Sequence, residues 1–138
     1  MAESFILHIA TPEKLFYEDE VESLVITSTD GELGILPGHL SMVVALSIAP
    51  IQIREQGSDG WRVAAISGGF ARIKGDEVVI LADTAEWPED IDDARALEAK
   101  RRAEDRMRIH ESDIEYVRSR IALERALLRL SVKDFREQ

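Results

Sequence analysis

Short apolar stretches, separated by turn signals, fill the first 86 residues of the chain. They are rich in β-branched and aromatic side chains, which fit a pleated, half-buried surface. In chain order these stretches are SFILHIA, KLFYE, SLVITS, GILP, MVVALS, IQIRE, WRVAAIS, FARIK and EVVILAD. The turn signals between them are Asp30-Gly31, Pro37-Gly38, Ala49-Pro50, Gly57-Ser58-Asp59-Gly60, Gly68-Gly69 and Gly75-Asp76. Because no helical pattern lies between the strands, the spacing predicts an antiparallel sandwich or barrel.

Apolar positions change to helical spacing after Pro88, which closes the last extended segment. One face of the first predicted helix carries three small residues and a methionine: Ala96, Ala99, Ala103 and Met107. We predict Asp90 as the N-cap with Asp93 in a capping-box position, and Asp92 in the first turn. The helix is expected to end near Ile109–His110, and its alanines leave room for a close partner helix.

A second helix start is marked by Ser112-Asp113-Ile114-Glu115, an S-x-x-E capping box. The predicted apolar face of this helix consists of Ile114, Val117, Ile121 and Leu128, widened by Leu123, Leu127 and Leu130. Since the loop between the helices is only a few residues long, they should lie antiparallel as a hairpin. The sequence therefore predicts an α+β chain, with an antiparallel β-sandwich over residues 1–86 and a two-helix hairpin over residues 87–138.

The charge of the chain is acidic and unevenly placed, with a formal net charge of −10. Residues 1–86 carry 5 Lys/Arg against 14 Asp/Glu, whereas residues 87–138 carry 12 against 13, a shift that supports the boundary. An acidic balance argues against nucleic acid, which rewards a basic face. Without cysteine there is no disulfide framework and no thiolate metal site. Neither a membrane span nor a secretion signal is expected, because the apolar runs are short and the N-terminus lacks the signal pattern.

No catalytic motif is visible in the sequence. The three histidines, His8, His39 and His110, are far apart, and the H-E-x-x-H, G-x-S-x-G, Walker A and G-x-G-x-x-G patterns are missing. Ser67-Gly68-Gly69 is interpreted as a tight turn between strands. The sequence therefore predicts neither catalytic residues nor a metal site.

Four arginines of the hairpin can gather around the first turns of the first helix. If the hairpin turn centres near Glu111, residues whose numbers add to about 222 lie level with each other across the pair. The four arginines are Arg95, Arg102, Arg125 and Arg129. Together with the free amides and positive dipole of a helix start, they invite an anion such as phosphate. The alternative is that they pair with acidic neighbours on a solvated surface, namely Asp92, Asp93, Glu98 and Glu124.

The stretch GELGILPGHLSMVVALS, residues 31–47, resembles the epsilon subunit of bacterial F-type ATP synthases, called delta in mitochondria. TPEKLFYEDEVESLVITSTDGELGILPGH is similar to that family's N-terminal half. ISGGFARIKGDEVVILADTAEWPEDID is similar to its late strands and the passage into its helices. The resemblance covers almost the whole chain and implies a β-sandwich followed by a two-helix hairpin, the fold that the spacing predicts.

The resemblance also implies a place on the central rotor stalk, bound to the gamma subunit and touching the membrane ring of c subunits. There a non-catalytic subunit couples ion translocation through the ring to rotary ATP synthesis. Glu32 and His39 fall on the family's GELGI and PGH motifs, near the gamma and ring contacts. Their other interpretation is a turn carboxylate and a loop histidine. The implied location is the cytoplasmic face of the bacterial cell membrane, as a peripheral protein held there only through the complex.

Some bacterial epsilon subunits bind ATP through Ile or Leu, Asp, two variable residues, Arg and Ala. Ile91-Asp92-Asp93-Ala94-Arg95-Ala96 is similar to this pattern at every fixed position. Glu86 stands where the family has a base-contacting Glu, and Arg102, Arg125 and Arg129 match its remaining basic positions. The implied ligand is regulatory ATP, with or without Mg²⁺, and no other cofactor. No hydrolysis of this nucleotide is expected, since no Walker A motif is present.

The mechanism that the resemblance implies is a conformational switch. With ATP bound, the hairpin stays folded; without ATP, it extends along gamma to the alpha/beta catalytic head and inhibits ATP hydrolysis there. The alternative, from a different class, is a β-sandwich adaptor whose hairpin binds a partner helix and no nucleotide. A sandwich enzyme, the third hypothesis, needs an acid/base or nucleophile set that the sequence does not display.

Overall fold

The computed structural model describes residues 3–109 and 111–136, with side chains described through residue 134. The chain divides into two compact units, Met1–Glu86 and Trp87–Gln138. The first is built from strands and the second from helices, which confirms the predicted fold class. The strands are β1 (Phe5–Ala10), β2 (Leu15–Ser28), β3 (Gly31–Ile35), β4 (His39–Glu55), β5 (Arg62–Gly75), β6 (Glu77–Ala82) and β7 (Ala85–Glu86).

One sheet forms the first unit, with the strand order β1-β6-β5-β4-β2-β3 and with β7 against β5. Strand β1 pairs with β6 and also with β2, so the sheet closes on itself. All pairings are antiparallel except that of β1 with β6. The closed sheet encloses its apolar face. Because side chains alternate between the two faces of a strand, every second residue of β1 is buried, namely Phe5, Leu7 and Ile9.

The nine predicted strand segments merge into fewer, longer strands, and the predicted turn at Ala49-Pro50 is wrong. Strand β4 runs through Pro50, which lies opposite Ala65 of β5. On its other side, the pairing of β4 with β2 is irregular between the Val25–Gln52 and Ser28–Leu46 pairs. A proline is tolerated there because no regular ladder bond needs its missing N–H.

The predicted tight turn at Ser67-Gly68-Gly69 is also wrong, since β5 continues through it. Gly68 and Gly69 have φ angles of +82° and +118°, a backbone conformation that residues other than glycine rarely adopt. A Cβ on Gly69 would collide with the backbone carbonyl of Leu81 on β6. The glycines therefore bend a long strand where its backbone passes close to its neighbour, and they do not end it.

The second unit begins with a 3₁₀ turn (Pro88–Asp90), followed by the helices α1 (Asp93–Ile109) and α2 (Asp113–Arg136). The predicted N-cap Asp90 is wrong, and so is the capping-box position of Asp93, which is the first helical residue. Pro88 starts a separate turn that takes in Asp90, and the cap passes to Asp92, whose Oδ1 accepts from Arg95 N at 3.2 Å. The end of α1 at Ile109 is confirmed; His110 lies outside the described residues.

The capping box of α2 is confirmed in its main bond. Glu115 N donates to Ser112 Oγ at 3.2 Å. The Glu115 carboxylate accepts from Glu111 N at 3.2 Å, one residue before the cap. The return bond thus ties down the loop residue that precedes the helix, as well as the helix start.

The buried face of α2 is only partly the predicted one, because Ile114, Val117 and Leu127 are exposed. The buried residues of α2 are Ser119, Ala126, Leu128 and Val132, of which only Leu128 belongs to the predicted face. On α1 the small residues Ala96 and Ala103 are buried. In the predicted register, Ala96 lies level with Ala126 and Ala103 with Ser119. The sequence expectation of a close helix pair is therefore supported by burial on both helices.

We predict that Gly69→Ala lowers the free energy of unfolding by about 2 kcal/mol or more, because alanine adds both a positive-φ strain and a backbone overlap. The control is Gly34→Ala in β3, where an added Cβ meets nothing within 4 Å. Urea midpoints of the two variants measure the difference, and equal midpoints would contradict the assignment.

Candidate functional site

The first turn of α1 holds the core of the predicted nucleotide motif. Ile91 and Ala96 are buried, whereas Asp92 and Arg95 are exposed. Asp92 caps the turn twice, through its side chain to Arg95 N and through its carbonyl oxygen to Ala96 N at 3.0 Å. The apolar motif residues therefore anchor the turn, and the polar ones face outward at the positive end of the helix dipole.

Three basic residues of α2 form a row at helical spacing, namely Arg125, Arg129 and Lys133, and we call them the basic row. Lys133 Nζ donates to the carbonyl oxygens of Pro88 at 3.1 Å and Ile91 at 2.9 Å. This contact agrees with the predicted register, in which residue 133 lies level with residue 89. The C-terminal end of the basic row is thereby fixed against the segment that leads into α1.

Within the basic row, Arg125 has a buried side-chain nitrogen, its Nε. Its Nε is buried and has no hydrogen-bond partner in the part of the chain that the structure describes. Arg54 Nε is the other such nitrogen there, but it lies 3.4 Å from a carboxylate oxygen of Glu22. A buried donor without an acceptor costs about 1–3 kcal/mol, so Arg125 Nε favours an anionic acceptor.

The alternative of solvated ion pairs finds little support at Arg95, Arg102 and Arg125. Ion pairs in the hairpin join Arg108 to Asp105, and Arg120 to Glu124 at 3.9 Å. Neither pair involves a predicted site residue. Glu124, one of the acidic neighbours named in the alternative, pairs with Arg120. Among residues 3–109 and 111–134, no carboxylate lies within ion-pair distance of Arg95, Arg102 or Arg125.

The remaining predicted residues of the nucleotide site lie at different places. Arg102 is exposed on α1, seven residues after Arg95 and therefore about 10 Å along the same face, at roughly 1.5 Å per residue. Arg129 is half-buried and makes an interaction within the chain. Glu86 belongs to the first unit, where it lies in β7 opposite Ala65. The structure thus brings together the α1 turn and the basic row, and the contact of Glu86 with a base stays a prediction.

Glu32 and His39, the predicted partner contacts, lie on either side of the end of β3. Glu32 is exposed and pairs with Thr27 of β2. His39 opens β4, and its Nδ1 lies 2.8 Å from the carbonyl oxygen of Leu40. Leu40 itself is 83% exposed. His39 therefore lies next to an exposed apolar side chain.

Further large apolar side chains are exposed on the same sheet. Phe70 and Leu81 are cross-strand neighbours on β5 and β6, and they are 60% and 59% exposed. Ala45 of β4, also exposed, lies opposite Phe70. We call Ala45, Phe70 and Leu81 the apolar row. A contiguous exposed apolar patch of this kind is typical of a protein-protein contact.

A cavity of about 560 Å³ lies at the loop end of the hairpin. Its lining mixes two arginines with three acidic residues: Arg106, Arg118, Asp105, Glu111 and Glu115. Because its charges nearly balance, it suits a polyphosphate less well than the basic row does. In the described part of the chain, no three His, Cys, Asp or Glu side chains are grouped to hold a metal ion. Among the same residues, no helix is long and apolar enough to cross a membrane.

Lys133 is the site residue that sequence reasoning missed. The available signal was its spacing, since it continues the Arg125–Arg129 series by one more helical repeat. Its two acceptors are backbone carbonyls, which have no signature in the sequence.

Two family models together match nearly the whole chain. Residues 4–88 match the ATP synthase delta/epsilon chain beta-sandwich domain, and residues 89–134 match the delta/epsilon chain long alpha-helix domain. The chain therefore belongs to the delta/epsilon family of F-type ATP synthase subunits.

Curated relatives in that family carry the name ATP synthase epsilon chain. The chain is 46% identical to the one from Ruminiclostridium cellulolyticum over 133 residues, 96% of this chain and 98% of the relative. It is 44% identical to the one from Caldanaerobacter subterraneus over 133 residues, 96% and 95% of the two chains. With Bacillus licheniformis the identity is 42% over 126 residues, 91% and 95%. The resemblance seen in the sequence is thereby confirmed at the level of the epsilon chain.

Solved structures agree on the fold. A chain of the Euglena gracilis mitochondrial ATP synthase has a TM-score of 0.82 at 22% identity, over 100% of this chain and 84% of that one. A chain of the Tetrahymena thermophila mitochondrial ATP synthase central stalk and c ring has a TM-score of 0.53 at 14% identity, over 62% and 68%.

We predict that Asp92→Ala destabilises the hairpin by about 1 kcal/mol, the usual value of an N-cap, because Arg95 N loses its acceptor. Asp90→Ala is the matched control, and it should change stability by less than about half of that amount. The helical circular dichroism signal, followed during urea unfolding, measures both. A larger effect for Asp90 would return the cap to that residue.

Proposed function

We propose that the chain is a non-catalytic subunit of the central stalk whose hairpin binds ATP and regulates ATP hydrolysis. The observation that carries this proposal is the buried Nε of Arg125 in the basic row, for which residues 3–109 and 111–134 offer no hydrogen-bond partner. Polyphosphate is the anion that such a row fits best, because a guanidinium can donate two parallel hydrogen bonds to phosphate oxygens.

The phosphates and the adenine base of the nucleotide each have matching groups near the start of α1. The arginines Arg95, Arg102, Arg125 and Arg129 supply donors for the phosphates. The amides of the first helical turn add partial positive charge. One oxygen of Asp92 is used by the cap, which leaves the other as an acceptor for the exocyclic amine of adenine. Mg²⁺ would travel with the phosphates, on which its ligands lie.

Binding of ATP to the compact hairpin gives a population switch. ATP stabilises only the conformation whose groups it contacts, so removing it favours an extended hairpin. The extended α2 would present basic residues to acidic segments of the alpha/beta head and resist rotation in the hydrolysis direction. Four arginines are available for this: Arg118, Arg120, Arg125 and Arg129.

The sheet unit supplies the coupling function. The apolar row and the exposed Leu40 favour docking against a protein partner, for which gamma and the c ring are the candidates in this family. Glu32 and His39 would lie at the rim of that contact. Through these partners the chain would be held at the cytoplasmic face of the membrane and transmit rotation during ion-driven ATP synthesis.

Calorimetric titration of the isolated chain with ATP tests the nucleotide site. Arg125→Ala should weaken binding at least tenfold, as expected for the loss of a charge-assisted hydrogen bond of about 1.5–3 kcal/mol. Arg95→Ala should act in the same direction. The matched control is Arg120→Ala on the same helix, which removes an arginine outside the basic row and should leave the affinity unchanged.

Equal heats for the parent chain and Arg125→Ala would exclude the site. If the chain releases no heat with ATP, with or without Mg²⁺, the adaptor hypothesis gains, and co-purification with gamma then decides whether the stalk role stands.

Truncation of the chain after Glu89 tests the regulatory role in the assembled enzyme. Removing both helices should raise ATP hydrolysis, because the inhibitory extended state is lost. The full-length chain, reconstituted into the same preparation, is the control. Unchanged hydrolysis would remove the inhibitory role and leave only the coupling role of the sheet unit.

A further inference from the structure

Lys133 joins the two ends of the helical unit. It lies near the end of α2, and its two acceptors precede α1, 45 and 42 residues earlier in the chain. In both bonds the charged ammonium group of Lys133 donates to a backbone carbonyl oxygen, at 3.1 and 2.9 Å. Such charge-assisted hydrogen bonds are stronger than neutral ones. The contact therefore closes the hairpin at its open end, opposite the loop.

The two acceptor carbonyls, those of Pro88 and Ile91, lie directly before the N-cap of α1, where the predicted nucleotide motif begins. Pro88 O already accepts from Ile91 N at 3.2 Å, which holds the 3₁₀ turn together. Ile91 is extended, with φ of −88° and ψ of 127°, and it is 3% exposed. Because the next residue is the cap Asp92, the direction of the Ile91 carbonyl sets where the cap and the first turn of α1 begin.

The ammonium group of Lys133 has backbone carbonyls as its partners and no competing carboxylate among the described side chains. The residue is half-buried, and it has no carboxylate within ion-pair distance among the described side chains. Its partners are carbonyl oxygens, which belong to the backbone and are present whether or not a ligand is bound. The side chain thus holds a preformed segment and does not depend on the anion.

We propose that Lys133 is the positioning residue of this hairpin, a latch that fixes residues 88–92 against α2 and so presets the geometry of the first turn of α1. Opening of the hairpin must break both bonds of the latch. The effect of the latch on ATP rests on the proposed function; its effect on residues 88–96 does not.

Amide hydrogen exchange of the full chain without nucleotide tests the latch. Lys133→Met keeps the alkyl stem and removes the donors. The amides of Ile91, Arg95 and Ala96 should then exchange at least tenfold faster. Lys133→Arg, which can still donate to two carbonyls, should stay within about threefold of the parent chain. Lys100→Met, at the other lysine of residues 87–138, is the matched control and should leave these amides unchanged.

Titration with ATP is the second measurement on the same variants. Lys133→Met should weaken ATP binding at least fivefold, and Lys133→Arg should restore it. Lys133→Gln keeps a neutral amide group with two weaker N–H donors, so its ATP affinity should fall between those of the methionine and arginine variants. It serves as the test variant if Lys133→Met folds poorly. If Lys133 only filled space, Lys133→Met would bind ATP as well as the parent chain. Recovery of binding in Lys133→Arg therefore shows that the charge and the N–H donors matter.

Four outcomes are decisive. Unchanged exchange in Lys133→Met overturns the latch, and so does faster exchange spread evenly along both helices. Weaker ATP binding with unchanged exchange would assign Lys133 to direct ligand contact in place of positioning. If the parent chain binds no ATP, the proposed function fails, while the exchange data still decide the latch.

Discussion

The close approach of the two helices is the constraint on which the candidate site depends. Small side chains set it, since Ala96 and Ala103 of α1 and Ser119 and Ala126 of α2 are all buried. A larger residue at any of these positions would separate the helices and carry the basic row away from the first turn of α1. Packing, which has no direct role in binding, thus decides whether the charged groups can act together.

The basic row gives the hairpin an electrostatic reason to bind an anion. Like charges on one face repel each other. The buried Arg125 Nε has no acceptor among the described side chains and backbone groups, which is unfavourable. An anion would relieve both costs at once, so its binding energy would be linked to the compact hairpin. This linkage is what a ligand-dependent conformational switch needs, because only differential affinity shifts a population.

The strand segments and helices follow from local patterns, and these were predictable. The apolar stretches indicate the strands β1 to β6 but not the two-residue β7, and the S-x-x-E box marks the start of α2. The errors fell where a tertiary contact overrides a local signal. Pro50 and Gly68-Gly69 are typical of turns, yet β4 and β5 pass through them. Pro50 fits within β4 because the pairing with β2 is irregular there. The two glycines fit within β5 because its backbone passes close to that of Leu81.

The side chains proposed for the candidate site can be chosen from the sequence, whereas the backbone contacts around them cannot. The motif from Ile91 to Ala96 and the arginine spacing are visible in the sequence. The shift of the N-cap from Asp90 to Asp92 is not, because it depends on the 3₁₀ turn that Pro88 starts. Lys133 was missed for a similar reason, since main-chain oxygens leave no trace in residue identity.

Nuclear magnetic resonance of the arginine Nε–Hε groups measures whether Arg125 Nε donates to a bound anion. On addition of ATP, we expect a downfield shift of the Arg125 Hε signal and slower exchange of this proton with water, while the Arg54 signal stays in place. An Arg125 signal that does not respond to saturating ATP would show that this nitrogen is not a donor to the nucleotide.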